Sequence, residues 1–72
     1  MKKRMKYFAV QFVTDLYLMD TEYELFCAES AESVERELKA QLGNHLLSYE
    51  IRKATWAQRR YAKKYPSSIA TL

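Results

Sequence analysis

Ser30–Gly43, SAESVERELKAQLG, decides the fold of this chain. The Ser30 hydroxyl can accept a hydrogen bond from the amide of Glu32 or Ser33, one of the donors a first helical turn leaves unpaired; Ser33 is the alternative cap. Glu29, Glu32 and Glu35 gather at this end, where the helix dipole favours negative charge. Val34, Leu38 and Leu42 recur every fourth residue, and Ala31 extends their stripe backwards. Glu35, Arg36, Lys39 and, less cleanly, Glu32 occupy the other side, with Glu35 and Lys39 in the favourable acid-before-base order. Gly43 suits the left-handed position that closes a helix, and Asn44 reinforces the stop. So short a helix is marginal alone in water, so its apolar stripe needs a surface to pack on.

The flanking segments supply that surface. Upstream, Lys6–Val13 reads as a strand with Phe8, Val10 and Phe12 on one face. Tyr7, Ala9, Gln11 and Val13 make the other face only half polar, which suits a central strand. Glu22–Ala28 reads as a second strand, with Tyr23, Leu25 and Cys27 expected on the core face and Glu22, Glu24 and Phe26 opposite. Between them lies Thr14–Thr21, TDLYLMDT. Asp15, Asp20 and Thr21 favour turns, and the apolar residues between either lengthen a hairpin or form an exposed loop. Downstream, Leu46–Lys53 alternates Leu47, Tyr49 and Ile51 against Ser48, Glu50 and Arg52, a third strand with one wet face.

The order β-β-α-β predicts an α+β domain with a three-stranded mixed sheet and one helix on one face. The first two strands pair antiparallel, and the third is expected beside the first and parallel to it. Ala54–Tyr65, ATWAQRRYAKKY, reads as a C-terminal basic helix capped by Thr55 and ended by Pro66, with a strand extension through Trp56 as the alternative. One domain spans residues 1–72, with a core at about 5–65 and frayed ends at 1–4 and 66–72.

The 72 residues carry a net charge of +3. All four charges up to Thr14 are positive, Asp15–Glu37 has eight acids and one base, and Leu38–Leu72 has seven bases and one acid. The basic ends either neutralise the acidic middle or bind a partner. A single cysteine forbids an internal disulfide and suits a reducing, cytoplasmic setting. The opening MKKRMKYFAVQFV is basic and then apolar, but its apolar run is short, carries Gln11 and meets Asp15 without a small-residue cleavage site. No run has the length of a membrane span. In size and plan the chain resembles small accessory proteins, including those of bacterial viruses and mobile elements, a likeness of type that carries no site.

Catalytic chemistry finds little footing. Cys27 is expected in the core as a small hydrophobe, and His45, the only histidine, in an exposed turn. A nucleophile needs a base beside it, and zinc needs three or four ligands. The glutamates are spread along solvated faces, and no glycine-rich loop is present to cradle a phosphate. No enzyme activity, cofactor, metal or small-molecule substrate is therefore expected. Two surfaces stand out instead. Tyr17, Leu18 and Met19 at the hairpin, with Tyr7 and Phe26 on an open sheet face, exceed what one helix covers; they point first to a protein partner or a second copy of the chain. Arg52, Lys53, Trp56, Arg59, Arg60, Lys63 and Lys64, interleaved with Tyr61 and Tyr65, pair phosphate-neutralising cations with stacking rings and point to nucleic acid as the alternative. The bland reading is that the last helix folds back over the open face, anchored by Trp56 and Tyr61.

Overall fold

The computed structural model describes residues 4–16 and 20–72. Tyr17, Leu18 and Met19, the expected hairpin contacts, lie outside the described residues. The chain runs β1 (Lys6–Thr14), β2 (Thr21–Ala28), α1 (Ala31–Leu42), β3 (Leu46–Lys53), α2 (Trp56–Lys64) and β4 (Ala70–Thr71), with 3-10 turns at Gly43–His45 and Pro66–Ser68. The helix over Ser30–Gly43 forms as its sequence dictates. The Ser33 amide donates to the Ser30 hydroxyl at 3.3 Å, and Gly43, at φ 53°, donates its N–H to the Lys39 carbonyl. Val34 and Leu38 are fully buried, with Ala31 and Leu42 packed beside them.

β1 is central, in the sheet order β3-β1-β2-β4. Four strands form rather than three, and β3 lies beside β1 antiparallel rather than parallel. The reason is the length of α1. It carries the chain back to the end where β2 began, so β3 repeats the direction of β2, which already opposes β1. The sheet is mixed only through β4, which pairs parallel to β2 at Phe26↔Ala70 and Cys27↔Thr71. Residues 66–72 are thus not a loose tail. The Leu72 amide donates to the Cys27 carbonyl at 2.9 Å, satisfying part of an otherwise open sheet edge.

The faces of β2 are the reverse of expectation. Phe8 lies opposite Phe26 and Lys6 opposite Ala28, which places Phe26 and Ala28 under α1 with Phe8 and Val10. Phe26 is 1% exposed. Tyr23, Leu25 and Cys27 face the other way, paired with Gln11, Ala9 and Tyr7. Alternation separates two faces without saying which is inner, and here both become partly covered. A bulge adds a second local change. Val13 pairs with Ser48 but Thr14 pairs with Leu46, so Leu46 packs on the core and Leu47 is left exposed.

The second helix covers part of the far face. The Ala54 amide donates to the Tyr7 carbonyl at 3.0 Å, next to β3, and the chain returns as β4 on the opposite side of the sheet, beside β2. The connection must therefore cross the face that α1 leaves open. Ala62 is its buried residue, and Tyr7 and Cys27, paired on the far face, are half-buried. Among the described residues no helix is long and apolar enough to cross a membrane.

Candidate nucleic-acid interface

The α2 helix starts on a reciprocal capping box. The Gln58 amide donates to the Thr55 hydroxyl at 3.2 Å, and the Thr55 amide donates to the Gln58 side-chain carbonyl at 2.8 Å. Neither element of WAQRRYAKK supplies a wide apolar stripe, so the small Ala62 is the one helix residue that is buried. Trp56 is 64% exposed and Tyr61 51%, so neither ring is buried against the sheet, although Tyr61 borders the space between helix and sheet.

The outward side of α2 is both cationic and aromatic. The Arg60 guanidinium lies over the Trp56 indole, 4.9 Å from its centroid, and the Lys64 ammonium lies 5.6 Å from the Tyr65 ring. Tyr61 and Tyr65 meet at 4.9 Å between centroids. The helix holds four bases and no acid, and none of Arg59, Arg60, Lys63 or Lys64 has a carboxylate within ion-pair reach among the described residues. Lys63 and Lys64 sit in the last turn, where the helix dipole favours positive charge. Arg60, Tyr61, Lys63, Lys64 and Tyr65 line a shallow hollow of about 600 Å³ on this surface.

Tyr61 also belongs to a second recess of about 620 Å³ between α2 and the far face of the sheet. Its floor includes Ala9, Gln11, Tyr23 and Leu25; Ala57, Gln58 and Tyr61 face them from the helix. The space persists because Ala9 and Ala57 are too small to fill it. Arg52 and Lys53 line the same recess, but Arg52 is already engaged: its guanidinium reaches the Glu50 carboxylate at 2.6 Å. Burial pushes the Glu24 carboxyl, at the edge of the recess, above its ordinary range.

The expected basic and aromatic residues are therefore brought onto one helix and its adjoining groove. Of the expected apolar docking set, only Tyr7 and Phe26 are among the described residues. Phe26 is in the core and unavailable, Tyr7 is half-buried, and the remaining three lie outside the described residues. Cys27 and His45 are separated by the sheet. Cys27 pairs with Tyr7, whereas His45 contacts Asp15, eight residues further along, which is about 25 Å of extended chain. The His45 Nδ1–Asp15 Oδ1 contact, at 2.7 Å, was not anticipated, although two polar turn residues at one sheet end hint at it. Tyr23, expected on the core face, instead lies with Gln11 on the face that borders the recess. Among the described residues no three His, Cys, Asp or Glu side chains converge as metal ligands would.

Comparison with protein-family models, with curated proteins and with solved structures finds no match to this chain.

Proposed function

We propose that this chain is a small nucleic-acid-binding module that uses the outward side of α2. The observation that carries the reading is Arg60 stacked on the exposed Trp56, beside three further cations without carboxylate partners among the described residues. A guanidinium held on a ring is pre-ordered for phosphate, and the ring's free face offers a base a stacking partner. Three of the acids, Glu32, Glu35 and Glu37, lie on α1, the helix of the opposite layer, while Glu50 on the α2 side is paired with Arg52 and Glu24 borders the recess. Phosphates are thus attracted to one side of the sheet and repelled from the other.

Trp56 is the only tryptophan, so its fluorescence reports directly on this surface. Titration with oligonucleotide at low ionic strength should quench it, and the affinity should fall steeply with salt. If all four α2 cations meet phosphates of a single strand, the slope of log K against log salt is about −3, and a Lys63→Ala, Lys64→Ala double variant lowers its magnitude by about 1.4. Unchanged fluorescence and no retardation with either single or double strands would remove the reading.

A second reading, docking on a second copy of the chain, has its own support. Leu16 and Leu47 are 47% and 48% exposed at the same end of the sheet, next to the unpaired outer edge of β3. Sedimentation velocity tests it through the oligomeric state.

A further inference from the structure

We infer that the recess between α2 and the far face of the sheet receives one unpaired base of a bound strand, which makes the module selective for single-stranded nucleic acid. The inference deepens the proposed function and rests on it. Three observations support the assignment. The first is continuity: Tyr61 forms a wall of both the cationic hollow and the recess, so a strand whose phosphates lie along Arg60, Lys63 and Lys64 passes the mouth of the recess. The second is size. About 620 Å³ falls inside the range of roughly 300–1,000 Å³ found for small-molecule sites, whereas a base pair within a duplex cannot turn in from the stack.

The third is chemistry. Tyr23, 73% exposed, borders the recess from the sheet and Tyr61 borders it from the helix, so each side offers a ring. Gln11 adds an amide that both donates and accepts, as a base edge requires. Arg52, which also lines the recess, is paired with Glu50. Lys53 borders the recess as well, whereas the four α2 cations, Arg59, Arg60, Lys63 and Lys64, lie outside it and the rings and the amide lie within it. That division suits a base inside and a backbone outside.

The test compares three labelled probes by fluorescence anisotropy at low salt: an oligothymidylate, an abasic strand with the same phosphates, and a duplex. Wild type should bind the oligothymidylate most tightly. Tyr23→Ala should weaken that binding by about five- to a hundredfold, the range for loss of one base–ring stack, and leave the other two probes unchanged. Tyr23 is an exposed strand residue, so the fold should survive; circular dichroism checks this. Ala57→Phe, which plugs the recess from the helix side, should give the same selective loss. Equal wild-type affinity for all three probes, or an oligothymidylate affinity that neither variant moves, overturns the recess assignment and leaves phosphate binding by α2 standing. Absence of binding to every probe overturns both.

Discussion

Phe26 shows how much one residue's facing matters. On an open face it would be a contact for a partner, and its removal would cost binding alone. Buried at 1% exposure among Phe8, Val10, Val34 and Leu38, it is instead part of a core with few members. Truncating a buried phenylalanine costs about 3–5 kcal/mol, through lost transfer energy and the cavity left behind. A single core of this size supplies only about 3–5 kcal/mol of net stability. Phe26→Ala is therefore expected to unfold much or all of the protein at room temperature, with loss of helical circular dichroism. A variant that keeps a cooperative, near-wild-type melting transition would contradict the core assignment. Tyr23, three residues earlier, lies on the opposite face and should show the reverse: little change in stability.

At the level of elements, α1 and β3 are joined by charge as well as by apolar contact. The Lys39 ammonium lies 3.3 Å from the Glu35 carboxylate and 5.7 Å from the Tyr49 ring. The Tyr49 hydroxyl first, and Lys39 second, hold the Glu35 carboxyl below its usual 4.5. The Tyr49 hydroxyl first, and Glu35 second, raise Lys39 above its usual 10.5. A carboxylate depressed in the fold adds stability above pH 4.5, and that stability is lost as the pH falls through its folded value. Lys39 contributes below pH 10.5 and loses its contribution at more alkaline pH. Glu24, raised by burial, works the other way, since protonating it favours the fold. Glu35→Gln should therefore flatten the fall in stability between about pH 5 and about pH 3, measured by urea unfolding at stepped pH. Because the cluster is solvent-exposed, the effect should shrink in high salt. Identical acid limbs in wild type and variant would mean that the cluster does not act on folding.

For the whole molecule, the outer edge of β3 stays unpaired, and Leu47 at the start of that strand is 48% exposed. If the β3 edge and Leu47 meet a second copy, sedimentation velocity should show a dimer that Leu47→Ser dissociates, with unchanged circular dichroism. A monomer at high micromolar concentration would remove self-association and leave the α2 surface unaffected. The two surfaces are on different parts of the sheet, so the outcomes are independent.

Local chemistry by itself determined the elements: a capped and glycine-ended helix over Ala31–Leu42, strands at β1 and β3, a central place for β1, and a basic helix opened by Thr55 and stopped before Pro66. These depend on neighbours within a turn or an alternation period, which a sequence displays directly. Tertiary structure decided the facing of β2, the direction of β3, the pairing of the last residues as β4, and the gap left between Ala9 and Ala57. Each of these depends on which distant segment fills a given volume. A period of two names the faces of a strand, and only the packed neighbours determine which face is closed.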